Sequence, residues 1–235
     1  MDALTPAEVV HELPGCRVFQ LRVRRGRFVN YNYIVADRAT KQAVVFDPAW
    51  EPDVVIGSIE RSGLHLQAVL LTHSHPDHVD LCHQLSDRFD CPVLMHAVES
   101  SFAAFEASRL EAFVDLETLF VGKTWITPIH TPGHTPGSTC FLLPGGVVTG
   151  DTLFNEGCGI CHLRGGDARQ MHASLQRLLR HVPDATCVFP GHAFHTPPGL
   201  RFDEVKRMNA YLQVEDPELF ARWRMQRRDR TMDFV

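Results

Sequence analysis

From about residue 28 to residue 195, short apolar runs rich in β-branched and aromatic residues alternate with turn signals and with longer stretches of helical period. Strands are expected at YNYIVA (31–36), QAVVFDPA (42–49), LQAVLLTH (66–73), CPVLMHA (91–97), WITPIHTPG (125–133), STCFLL (138–143), GVVTGD (146–151) and ATCVFPGH (185–192). Helices are expected at 51–62, directly after 76, from 98 to about 108, at 168–181, and in RFDEVKRMNAYLQ and PELFARWRMQRRDR near the C-terminus. The best-defined is DARQMHASLQRLLRH. Asp167 and Gln170 stand at capping-box spacing, and Met171, Leu175, Leu178 and Leu179 fall on one face, a stripe that reads as core. No Gly/Ser-rich or Pro-rich linker and no solenoid repeat divides the pattern, so a single domain over 1–235 is expected, with 197–235 as a helical extension.

Composition narrows the class. At 235 residues and 44% hydrophobic, the chain can bury a substantial core without staples. Its net charge of −5 gives no electrostatic case for nucleic acid, and no apolar stretch approaches a membrane span, so neither partner is expected. The N-terminal MDALTPAEVVHELPGC has no basic region followed by an apolar one, which points to a cytoplasmic setting. Seven scattered cysteines read as reduced thiols. The CGIC stretch has redox-pair spacing at Cys158 and Cys161, but no second pair completes a zinc ribbon, and it reads as a structural loop. Basic residues cluster from Arg222 to Arg230, either as a solvated helical face or as a patch for an anionic ligand or acidic protein.

The chemistry is concentrated where strands are expected to end. LLTHSHPDHVD packs His73, His75, Asp77 and His78 into six positions. Three later stretches repeat the theme: TPGHTPGS with His134, VVTGDTLF with Asp151, and VFPGHAF with His192. Loops on one edge of a rigid sheet let residues distant in sequence converge. Five His and two Asp without Cys suit a divalent ion such as zinc, iron or manganese, and argue against a purely structural tetrahedral site. The remaining histidines, including His83, His96, His162 and His195, read as surface or packed residues.

The stretches THSHPDH, TPGHTPGS, TGD and PGH resemble the successive metal motifs of the metallo-β-lactamase fold superfamily. That resemblance implies an α/β (α+β) fold, a four-layer αββα sandwich with the metals at one edge of the two sheets, here followed by a C-terminal helical segment. It implies two divalent ions, with His73, His75 and His134 at the first, Asp77, His78 and His192 at the second, and Asp151 bridging. Within the superfamily, GDTLFNEGCGICHLRGGDARQMHASLQRL is similar to the glyoxalase II branch. Ile160 and Gln213, however, stand where that branch carries basic side chains. FVNYNYIV, DPAW, NEGCGIC, PGHAFHTPPG and NAYLQ are most similar to the zinc-dependent hydrolases encoded in trans-acyltransferase polyketide clusters.

What this resemblance implies is metal-dependent hydrolysis of an acyl thioester, with an acyl carrier protein or pantetheine as the thiol carrier. Asp77 is the candidate to receive a proton from water. Two alternatives remain at this point: a hydroxyacylglutathione hydrolase, and a mononuclear-iron persulfide dioxygenase using His73, His134 and Asp151.

Overall fold

The computed structural model describes residues 8–226. Thirteen strands form two sheets among these residues. The first sheet runs in chain order: β1 (Glu8–Glu12), β2 (Cys16–Arg25), β3 (Phe28–Asp37), β4 (Gln42–Phe46), β5 (His65–Leu70), β6 (Val93–His96) and β7 (Leu110–Phe113). The second has the order β13 (Leu200–Arg201), β12 (Cys187–Pro190), β11 (Gly146–Gly150), β10 (Thr139–Leu143), β9 (Thr124–His130) and β8 (Leu119–Val121).

Helices lie between the parallel strands, as crossover connections require. α1 (Pro52–Arg61) follows β4; α2 (Pro76–Val79) and α3 (Cys82–Phe89) follow β5; α4 (Ala97–Ala103) follows β6; α5 (Ala168–His181) joins β11 to β12. α6 (Phe202–Met208) and α7 (Pro217–Met225) follow β13.

The four-layer arrangement follows from three apolar clusters. Val18, Tyr33, Val35, Phe46, Leu70, Phe141, Val148 and Phe189 fill the space between the sheets. Phe19, Ile34, Val45, Val55, Ile59, Leu85 and Val93 join the outer face of the first sheet to α1 and α3. Ile129, Cys140, Val147, Met171, Leu175, Leu178, Phe202 and Phe220 join the second sheet to α5 and the C-terminal helices. Neighbouring residues of β3 point to opposite faces, Ile34 outward and Tyr33 and Val35 inward, and both faces are covered. That is why the central strands read as continuous apolar runs.

Several elements differ from the sequence reading. β1 and β2 are not anticipated there; in β2, Arg17, Gln20, Arg22 and Arg24 interrupt the apolar pattern of the buried Val18, Phe19, Leu21 and Val23. The helix expected over 98–108 stops at Ala103, where Ala104 turns left-handed. RFDEVKRMNAYLQ breaks at Asn209 into α6 and a 3₁₀ turn. There Asn209 accepts from the Tyr211 amide and donates to the carbonyls of Phe154 and Gly157. The expected stripe on α5 is core, and Asp167 caps the helix by accepting from Arg169 and Gln170. Of the basic cluster, Arg227, Arg228 and Arg230 lie outside the described residues. No helix among the described residues is long and apolar enough to cross a membrane.

Candidate metal centre

The loops after β5, β9, β11 and β12 leave their sheets at the same edge and bring all seven sequence-predicted residues together. His73, His75 and His134 offer nitrogens that lie within 4.8 Å of one another, and Asp77, His78 and His192 form a second such group. The Nε2 of His134 stands 2.9 Å from Nδ1 of His75. Asp151 lies between the groups: Oδ1 is 3.4 Å from Nε2 of His78, and Oδ2 is 3.6 Å from Nε2 of His134 and 3.4 Å from Nε2 of His192. Asp77 Oδ2 is 3.4 Å from His192 and 3.7 Å from His78. Such spacings are longer than direct charge-assisted hydrogen bonds and suit groups that surround a shared cation.

Four of the five candidate ligand rings are turned by a bond on the far side. Thr72 Oγ1 lies 3.0 Å from His73 Nδ1, the Ile160 carbonyl accepts from His134 Nδ1 at 2.8 Å, and the Val29 carbonyl accepts from His192 Nδ1 at 3.3 Å. Asp47 Oδ2 accepts from His78 Nδ1 at 3.0 Å. This leaves Nε2 of His73, His78 and His192, together with Asp151 Oδ1, buried without a hydrogen-bond partner. Orphaned buried polar atoms are expensive, and four aimed at one region fit a metal centre.

Protonation is consistent with that fit. Burial, with the neighbouring His78 and His134, drives the His73 pKa well below the ordinary imidazole value; burial also lowers that of His75 and holds His134 at about 4. Their lone pairs are therefore available at neutral pH. Burial also opposes charge on His78 and His192, but Asp151 outweighs it at both, with Asp47 adding at His78 and Asp77 at His192. In the metal-free state these two rings carry protons that a cation must displace.

Four supporting residues were not singled out from sequence. Asp47 also groups with His73 and His78, but Oδ1 accepts from the Thr72 amide at 2.7 Å and Oδ2 from Thr72 Oγ1 at 2.6 Å, so it serves as an orienting carboxylate behind the ligands. Glu99, wholly buried on α4, accepts from the amide and hydroxyl of Ser74 and from the Gly137 amide, tying the His73–His75 loop to the His134 loop. Asn30 donates to the Asp77 carbonyl and carboxylate. Thr72 completes the set. The sequence signal two of them offer is a polar residue ending an apolar run, Asp47 after QAVVF and Thr72 after LQAVLL.

Glycine is required at two contacts. A Cβ at Gly159 would run into the Asp151 carbonyl and come within 2.9 Å of His134 Nδ1, and one at Gly191 would meet Asp151 Oδ1 and His78 Cε1 at 2.7 Å. The CGIC segment thus packs directly over the ligands, which is a reason for its small residues.

A model of the family described as the metallo-beta-lactamase superfamily matches residues 24–192. The chain belongs to that superfamily. It is 38% identical over 207 residues to the probable polyketide biosynthesis zinc-dependent hydrolase BaeB of Bacillus velezensis, covering 88% of this chain and 92% of the relative. It is 30% identical to a probable hydroxyacylglutathione hydrolase of Schizosaccharomyces pombe, covering 81% of this chain and 85% of the relative. The crystal structure of ETHE1 from Myxococcus xanthus superposes with a TM-score of 0.78 at 30% identity, covering 88% of this chain and 90% of that one. The αββα architecture and the metallo-hydrolase class expected from sequence both stand with this membership.

Other expectations are corrected or placed. Arg224, part of the cluster read from sequence either as a solvated helical face or as a patch for an anionic ligand or acidic protein, turns inward: its Nε donates to the Gly159 carbonyl at 2.8 Å. Gln213 folds back onto the Lys206 carbonyl. Cys158 and Cys161 are buried thiols in the third apolar cluster. His83, His162 and His195 are exposed, and His96 stacks on His130 at 4.2 Å.

Proposed function

We propose that the chain hydrolyses an acyl thioester at a centre of two divalent ions, zinc by analogy with its relatives, and that the thiol is carried on pantetheine or an acyl carrier protein. The observation that carries this reading is the position of Asp151, 3.4–3.6 Å from nitrogens of both ligand groups. A single carboxylate reaching both groups suits two adjacent ions. A mononuclear oxygenase would need only His73, His134 and Asp151, leaving the buried second group without a role.

When bound, divalent ions supply Lewis acidity, lowering the pKa of water from about 15.7 towards about 7 and polarising a carbonyl oxygen. The chain's own residues do the rest. Asp47, Thr72 and the carbonyls of Val29 and Ile160 hold the ligand rings in register. Asp77 is the site carboxylate in touch with solvent, its side chain 21% exposed against 6% for Asp151. Although burial raises its pKa, close approach of His192 and the His78 charge more than reverse this, so it is ionised at neutral pH, and its exposure makes it the candidate to relay a proton from water outward. A thiol with reference pKa near 8.5 departs without a strong general acid, so no further acid is needed.

The relatives named as a polyketide hydrolase and as hydroxyacylglutathione hydrolases support thioester chemistry. Ile160 and Gln213 favour pantetheine over glutathione: Ile160 presents its carbonyl to His134, and neither side chain offers a cation to glutathione's carboxylates. The test is a panel of one acyl group on carrier protein, pantetheine, coenzyme A and glutathione, at defined zinc loading. We expect the highest kcat/KM on the pantetheinyl substrates and loss of turnover on chelation. Preference for the glutathione thioester would return the protein to a glyoxalase II role, and oxygen uptake with a persulfide but no thioester hydrolysis would make it an oxygenase.

A further inference from the structure

The hairpin of β2 and β3 abuts the metal centre, and the chemistry above leaves its tip unused. Pairing runs from Cys16 opposite Asp37 to Arg25 opposite Phe28, with Gly26 at φ 62° in the turn. Near its end the hairpin grips the site: Val29 accepts from His192, Asn30 donates to Asp77, and the Tyr31 amide donates to the Gly191 carbonyl at 2.9 Å. At about 3.4 Å per residue, the turn stands only about 7–10 Å beyond the Val29 contact.

Arg25, Arg27 and Phe28 are exposed at this tip. The Arg25 side chain is 70% exposed and has only a loose 3.8 Å ion pair with Asp80, which solvent screens. The Arg27 guanidinium lies over the Phe28 ring at 5.4 Å, so cation and aromatic face project together. The chain as a whole carries 28 acidic and 23 basic residues, which makes a basic tip beside the catalytic edge a local exception. Arg224 cannot supply this function, being committed to Gly159.

We propose that Arg25, Arg27 and Phe28 form the docking element for an acidic acyl carrier protein that delivers its pantetheinyl thioester to the metal centre. This rests on the thioesterase reading above. Guanidinium groups suit the phosphodiester that joins pantetheine to its carrier and the carboxylates around it. The exposed Phe28 ring offers an apolar contact to the same partner. Docking beside the ligand loops leaves the flexible arm free to enter the site, and exposed cations there steer an acidic partner into place.

The test compares wild type with Arg25→Glu/Arg27→Glu and with Phe28→Ala in two assays. In the first, one acyl group is presented on an acidic carrier protein and on pantetheine. In the second, the zinc-loaded protein is titrated with the unacylated holo carrier protein at low and high salt, with a DNA oligonucleotide of matching charge as the comparison. We expect the double charge reversal to lower kcat/KM on the carrier-protein substrate about tenfold or more, through KM. Acyl-pantetheine hydrolysis should stay within about twofold, and carrier binding should lose its salt dependence. Phe28→Ala should weaken carrier binding without changing its salt dependence.

Equal losses on both substrates, unchanged carrier binding in the charge-reversed protein, or DNA binding as tight as carrier binding would each overturn the proposal. Charge-dependent carrier binding by a wild-type protein that hydrolyses neither thioester would support the docking element and refute the thioesterase reading instead.

Discussion

Asp47 accepts a hydrogen bond from Nδ1 of His78 at 3.0 Å, although 31 residues separate them in the chain. The bond sets the tautomer that leaves Nε2 of His78 facing Asp77 and Asp151. We therefore expect Asp47→Ala to weaken metal affinity by about 10–100-fold, as measured by competition with a chromogenic chelator. Retention of wild-type affinity would show that His78 is oriented by its other contacts alone.

Glu99 is the second supporting carboxylate, and its bonds join two ligand loops. Glu99→Ala leaves the Ser74 and Gly137 amides without their buried acceptor, a loss of about 2–4 kcal/mol of stability. Urea denaturation of the metal-free protein reads this cost separately from metal binding. A destabilisation below about 0.5 kcal/mol would mean that water replaces the carboxylate.

Burial raises both CGIC thiols, Cys161 to about 12 and Cys158 further, with Arg224 pulling in the opposite direction. Neither is a thiolate near neutral pH, so iodoacetamide should modify both only after unfolding. Cys161→Ser should keep most thioester turnover, whereas Gly159→Ala, which forces a Cβ against Asp151 and His134, should lower kcat/KM by about 100-fold or more. Fast alkylation of the folded protein, followed by mass spectrometry of the peptide, would refute the buried assignment.

Acid stability has a separate source at Asp37, which joins the two sheets. Burial alone would raise its pKa, but hydrogen bonds from Thr40, Thr124 and the Lys123 amide outweigh that and hold it at about 2. An unfolded Asp titrates near about 3.9. Because the folded value is the lower one, the stabilisation is complete above about pH 4 and is lost as the pH falls through about 2. With chelator present in both samples, the Tm gap between wild type and Asp37→Asn should narrow over that window. A gap that stays constant from pH 5 to pH 2 would contradict it.

Metal should bind the folded protein and not the unfolded chain, so the Tm is expected to rise with free zinc and fall on chelation. Asp151→Ala should abolish turnover and most of that shift, since it removes the carboxylate that lies near Nε2 of His78, His134 and His192. A full zinc-dependent shift in Asp151→Ala would place the ion elsewhere.

The convergence of the candidate ligand residues was legible in the sequence because each follows an apolar run, and apolar runs bounded by Gly, Pro and His mark strand ends without knowledge of the partners. The stripe on α5 was legible for a similar reason, since helical periodicity is local. The tertiary structure alone decided the supporting layer. Asp47 meets His78, Glu99 meets Gly137 and the Val29 carbonyl meets His192 only once sheet register and loop packing are set. β2 was hidden because its Arg alternates offset its apolar face, and the direction of Arg224 was hidden because a cation on a helix surface reads as solvated until a carbonyl is found beneath it. Chemistry carried by residue type and short spacing is therefore present in the sequence, whereas orientation, which depends on hydrogen bonds between residues distant in sequence, arises only with the fold.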